Sequence, residues 1–164
     1  MRAYSPRLWP ALVGAAILLL AVPVSLAAQR APADQSMLVG TWVLDLSRSQ
    51  YFPGPPPRSE TRTYTATPEG VRGVVKRLHA DGHLETIQYI ANYDNEVAVT
   101  GTEAFDAIKM TKLDEFTSES VLMHAGIAFG TARREISRDG KTMTITFHRR
   151  DTTASNTARY QRQP

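Results

Sequence analysis

The chain has 164 residues, no cysteine, and 19 Lys and Arg against 16 Asp and Glu, a formal charge of +3. That length suits one domain, and the missing cysteines exclude disulfides, a lipid-modified cysteine anchor and a thiol nucleophile. Charges of both signs are interspersed, which gives little long-range attraction for phosphates and argues against a nucleic-acid partner.

The first segment reads as an export signal. Arg2 and Arg7 precede an apolar run from Ala11 to Leu20, and the small-residue stretch Ser25-Leu26-Ala27-Ala28 follows before any acid appears, which is the three-part order of a secretory signal peptide. Cleavage after Ala27 puts Ser25 and Ala27 at the two small-residue positions. The competing reading is an uncleaved anchor, because Trp9 to Ala28 approaches the ~20 apolar residues that cross a bilayer. Pro23 favours cleavage, since it breaks a helix where a peptidase needs extended chain. Removing residues 1–27 takes two arginines and no acid, leaving 17 basic side chains against 16 acidic ones. The expectation is a periplasmic or secreted protein without a stable membrane anchor.

Residues 28–36, with Pro32, form a flexible lead-in without regular pattern. From Met37 to Pro164 apolar residues recur with period two, and turn signals interrupt them about every ten residues. Trp42, Leu44 and Leu46 alternate with Thr41, Val43 and Asp45; Ile87, Tyr89, Ala91 and Tyr93 alternate with Thr86, Gln88, Ile90 and Asn92. The clearest strand sets Met143, Ile145 and Phe147 against Thr142, Thr144, Thr146 and His148, one face for a core and one for water. Asp81-Gly82 and Asp139-Gly140 supply the positive backbone angles of tight hairpins. The pattern predicts strands over 39–47, 59–66, 71–79, 83–92, 96–101, 106–112, 116–124, 128–137, 141–150 and 156–162. Pro53-Gly54-Pro55-Pro56-Pro57 cannot donate ladder hydrogen bonds and is predicted to be a stiff connector between the first two strands, lying over one mouth. An all-β chain of sequential hairpins hides its edges best by closing, so the fold expected is an antiparallel up-and-down barrel of about eight to ten strands.

Gly40-Thr41-Trp42, at the start of the first strand, resembles the opening of the calycin group, the lipocalins and fatty-acid-binding proteins, whose Gly-x-Trp plugs the barrel floor. Three segments together resemble a family of exported bacterial lipocalin-like proteins. They are Gly40-Thr41-Trp42; Ser49 with Tyr51 and Phe52 ahead of Pro53-Gly54-Pro55; and Ser137-Arg138-Asp139-Gly140-Lys141-Thr142-Met143-Thr144. The resemblance implies a barrel that holds a small apolar or amphipathic molecule. Two family features have no counterpart. The last strand reads Ala158-Arg159-Tyr160, so the arginine and tyrosine that grip a carboxylate in fatty-acid-binding proteins face opposite ways here. The proline run stands where those proteins carry a helical lid.

Candidate interior residues follow from the alternation: Trp42, Leu44, Tyr89, Met143, Ile145, Phe147 and Tyr160. Arg62 shares a face with Tyr64, and Arg134 with Ala132 and Ile136, so each arginine either points inward toward an anionic head group or lays its stem along the outer wall. His79 and His83 approach each other across a hairpin but lack a third ligand, and read as turn-flanking residues rather than a metal site. No Gly-x-Ser-x-Gly elbow, His-Glu-x-x-His pair or phosphate loop occurs, so the sequence supports neither an enzyme nor a cofactor. The alternative to ligand binding is a filled barrel acting as an envelope interaction module, and the interior volume separates the two.

Overall fold

The computed structural model describes residues 37–164, so the predicted signal peptide and lead-in lie outside the described residues. Ten strands run in chain order: β1 (Gly40–Phe52), β2 (Ser59–Thr67), β3 (Gly70–Leu78), β4 (Leu84–Ala91), β5 (Glu96–Ala98), β6 (Ala107–Lys112), β7 (Thr117–His124), β8 (Ile127–Ile136), β9 (Thr142–Arg149) and β10 (Ser155–Arg162). All pairings are antiparallel, each strand lies beside its sequence neighbour, and β1 also pairs with β10. Among the described residues only Met37 and Leu38 are helical.

The seam is the narrow approach of β4 to β5. Gln88 and Thr100 exchange two backbone hydrogen bonds, of 2.9 and 3.0 Å, and otherwise no ladder joins the two strands. The approach requires glycine at position 101, which has φ +83°, because a Cβ there would meet the Thr86 carbonyl oxygen at 1.8 Å. The barrel is therefore nearly closed, and its one open ladder has a short edge.

Both predicted Asp-Gly hairpins form. Positive φ falls on the glycines alone, Gly82 at 93° and Gly140 at 67°. The two aspartates instead accept backbone N–H bonds, Asp81 from His83 at 2.9 Å and Asp139 from Lys141 at 3.1 Å.

β1 is longer than the alternation predicted, and it is bulged. Its pairing with β10 runs from Trp42↔Arg162 to Asp45↔Arg159 and resumes at Gln50↔Thr157, so five steps along β1 match two along β10. The odd excess reverses which side chains face inward beyond it. Leu46, expected on the core face, is 40% exposed in consequence, while Tyr51 turns inward. Ser49 fixes the bulge: its Oγ donates to the Asp45 carbonyl at 2.7 Å and accepts from the Arg159 N–H at 2.9 Å. The prolines follow as a strap between β1 and β2, with Pro55 and Pro57 over the interior.

One end of the barrel is filled. Trp42 is 0% exposed and packs with Leu38, Tyr64, Val71, Ile136, Met143, Ala158 and Tyr160. Its indole N–H donates to the Leu38 carbonyl at 2.8 Å. Arg162 lies 4.5 Å from the ring centroid and donates to the carbonyls of Met37, Val39 and Gly140, tying the chain ahead of β1 and the β8–β9 turn to the last strand. The Gly40-Thr41-Trp42 segment thus forms the floor that the sequence predicted.

Candidate functional site

Above this floor the interior is hollow. A cavity of about 610 Å³ runs from the floor side to the mouth that carries the proline strap and the β3–β4 and β9–β10 turns, a size within the range of ligand pockets. Two walls of different chemistry enclose it. Ile108 and Met110 of β6, Leu122 of β7, Ala132 of β8, and Ile145 and Phe147 of β9 form an apolar wall; Tyr51, Glu60, Arg62, Arg77, Asn156 and Tyr160 form a polar one on β1, β2, β3 and β10.

Glycines let aromatic rings lie flat and keep the space open. The Tyr89 ring covers Gly73, where a Cβ would come within 2.7 Å of it, and the Phe147 ring covers Gly130, where a Cβ would come within 2.5 Å. Larger residues at either position would drive the rings inward.

The polar wall is organised around Glu60, only 2% exposed. Its Oε1 accepts from Arg62 Nε at 2.6 Å and from the Tyr160 hydroxyl at 2.7 Å, and its Oε2 accepts from Arg77 Nε at 2.6 Å. Burial alone would raise this carboxyl, but the Arg62 and Arg77 guanidinium groups, with the Tyr160 hydroxyl, hold it down at about 2. Arg77 continues outward to Glu85 at 3.2 Å, and Glu85 meets His79 Nε2 at 3.1 Å. The Tyr51 phenol is pushed up to about 12 by burial and by the Glu60 charge.

A second polar group lies on the floor side. Arg134 of β8 is 8% exposed, its Nη2 donates to the Tyr93 hydroxyl at 3.3 Å, and its guanidinium lies 5.8 Å from the Tyr64 ring centroid. Among the described residues no carboxylate forms an ion pair with it. The Tyr64 hydroxyl is buried close to both arginines and Tyr89 without a hydrogen bond of good geometry. Burial raises the Tyr64 phenol, yet the two guanidinium groups outweigh it and the net direction is downward, while Tyr89 is raised by its burial.

Of the candidate residues, Arg62, Tyr64, Tyr89, Arg134, Ile145, Phe147 and Tyr160 line the cavity. Trp42, Leu44 and Met143 do not: Trp42 and Met143, both 0% exposed, are consumed in the floor, and Leu44 packs against it. They share the inward face with the cavity residues but lie nearer the closed end. Both arginines point inward, not along the outer wall. Arg159 is exposed and Tyr160 buried, so the last-strand arginine–tyrosine grip is absent as the spacing implied. His79 and His83 have ring centroids 5.7 Å apart, His83 is exposed, and no group of three potential metal ligands occurs among the described residues. Sequence reasoning missed Glu60 and Arg77, although Glu60 shares the alternation of Arg62 and Tyr64. It missed Tyr51 because the bulge reverses the period.

Strand order, plugged floor and hollow interior define a calycin-type barrel. A fatty acid binding protein of Schistosoma mansoni, solved in complex with arachidonic acid, superposes with a TM-score of 0.54 at 13% identity, covering 80% of this chain and 99% of that one. The fluorescent protein UnaG superposes with a TM-score of 0.51 at 15% identity, covering 78% of this chain and 98% of that one. No family model and no curated protein matches the sequence.

Proposed function

We propose that this protein is an exported calycin-type binder of a small apolar or amphipathic molecule, and that it binds rather than transforms its ligand. The observation that carries the reading is the hollow interior: a cavity of about 610 Å³ with a continuous apolar wall is costly to leave in a core that tight packing would stabilise. The barrel of the arachidonic-acid-bound protein from Schistosoma supports the same reading by its fold. Export rests on Arg2, Arg7, the Ala11 to Leu20 run and the Ala27 cleavage position, and the kinship with exported bacterial lipocalin-like proteins rests on the three segments quoted above.

Native mass spectrometry of protein recovered from its own envelope fraction tests both parts. The expected mass is that of a chain beginning at Ala28 plus a small lipophilic adduct, and an added neutral fluorescent lipid probe should bind at one site per chain. A chain that is always empty and binds no such probe removes the binding reading; a chain that keeps its first 27 residues removes the cleavage.

A further inference from the structure

The interior charges do not balance, and the imbalance has a location. Among the described residues around the cavity, the guanidinium groups of Arg62, Arg77 and Arg134 face two enclosed carboxylates, Glu60 and Glu85, while the carboxylate of Asp81 lies in the exposed β3–β4 turn and accepts from the His83 N–H. At the rim Arg149 has its own partner, Asp151, at 2.7 Å. Arg62 and Arg77 are taken up by Glu60 at 2.6 Å each, and Arg62 also stacks over Tyr160 at 5.2 Å. The surplus positive charge therefore belongs to Arg134, whose guanidinium, with five N–H donors, makes one hydrogen bond among the described residues, to the Tyr93 hydroxyl. An unpaired buried charge is among the most expensive features a fold can carry.

A donor waits beside it. The Tyr64 hydroxyl is buried beside Arg62 and Tyr89 without a hydrogen bond of good geometry among the described residues, and its ring lies under the Arg134 guanidinium. Two incompletely bonded groups, Tyr64 of β2 and Arg134 of β8, thus converge at the floor side of the cavity. The downward direction of the Tyr64 phenol, set against its burial by Arg62 and Arg134, marks the potential there as positive.

Building on the binding function proposed above, we infer that the ligand is an amphiphile with a single negative charge, seated head-down, its anionic group accepting hydrogen bonds from Arg134 and the Tyr64 hydroxyl. Its apolar part then runs up the wall of Ile145, Ala132 and Phe147 toward the mouth. Arg62 is not the anchor, because Glu60 already occupies it. The chemistry that recognises the ligand is shared by a carboxylate and by a sulfate monoester.

The test compares dodecanoate, dodecyl sulfate and dodecanol below their aggregation limits, by titration calorimetry on the protein and on Arg134→Met. The expected result is that at least one anion binds about tenfold or more tightly than the alcohol, and that the preference falls to near one in Arg134→Met. Which anion leads then identifies the head chemistry. Equal affinity for the alcohol and both anions overturns the anionic assignment while leaving a binding barrel intact. A preference that survives in Arg134→Met overturns the role of Arg134. Failure of all three probes to bind removes the binding function itself. Should Arg134→Met not fold, Tyr64→Phe supplies the second reading. It removes one hydroxyl at constant ring volume, and the anion-over-alcohol ratio should fall several-fold; an unchanged ratio counts against the site.

Discussion

The floor and the chamber of this barrel are made by the same strands, yet one is packed and the other is open. On β9, Met143 is fully buried in the floor, while Ile145 and Phe147, on the same face, look into the cavity. On β10, Arg162 is spent on Trp42 and on three carbonyls, and Tyr160, two residues earlier, presents its hydroxyl to Glu60. The floor owes its density to one indole and to the chain crossing beneath it. The chamber keeps its volume because its rings lie on glycines and its polar wall is held by charge. Stability and binding capacity are therefore assigned to different levels of one sheet.

Truncations at the two levels give the largest contrast. Trp42→Ala should cost about 3–5 kcal/mol, the range for losing a buried large aromatic together with the void left behind, and urea unfolding measures it. Phe147→Ala should cost distinctly less, roughly 1–2 kcal/mol, because the ring already borders open space and its removal enlarges a cavity rather than creating one. Equal losses would mean that floor and chamber are energetically one core.

Next in size is the charge that holds the polar wall. Glu60 has a folded value of about 2 against an ordinary 4.5. A depressed carboxylate contributes stability that is fully present above its unfolded value and is lost as pH falls from about 4.5 toward about 2; the difference corresponds to roughly 3 kcal/mol. Stability measured across that window should fall steeply in the native protein. Glu60→Gln should be less stable at pH 7, because Arg62 loses its buried counter-charge, and its curve should be flatter between about pH 4.5 and 2. A native curve no steeper than that of Glu60→Gln would show that Glu60 does not carry the acid sensitivity.

How far the sequence discloses this division follows from what period-two patterns record. Alternation reports which face of a strand points inward, and all ten predicted strands form, β1 running five residues past its predicted end and the others within three residues of theirs. The Gly-x-Trp segment supplies the closed end, so the floor was legible too. Height along the barrel is not written in alternation. Trp42, Leu44 and Met143 share a face with the chamber residues but sit at floor level, and only the pairing of Met143 with Tyr160 and of Trp42 with Arg162 places them there. The inward turn of Tyr51 depends on a bulge pinned by Ser49, a hydrogen bond across 110 positions that no local pattern carries. The sequence offered Arg62 and Arg134 as equals. What separates them is Glu60, two residues from Arg62 on β2 and, among the described residues, with no equivalent paired to Arg134.

The smallest predicted effect sharpens the role of the glycines. In Gly130→Ala the new Cβ would stand 2.5 Å from Phe147 Cε2 and 2.8 Å from Cζ, so the ring must leave the β8 backbone. In a packed region such crowding costs typically 1–3 kcal/mol. Here the ring has the chamber to move into, so the loss in urea unfolding should lie at the low end, about 1 kcal/mol, and the cost should appear in binding instead. Dodecanol affinity should drop several-fold, because the displaced ring occupies the apolar path. Gly73→Ala makes the same demand on Tyr89, whose Cζ would lie 2.7 Å from the new Cβ. That ring also packs against the floor cluster, and its freedom to yield is smaller. Gly73→Ala should therefore lose more stability than Gly130→Ala for a comparable loss of affinity. If the two variants lose stability equally, the boundary between packed floor and open chamber does not pass below Tyr89.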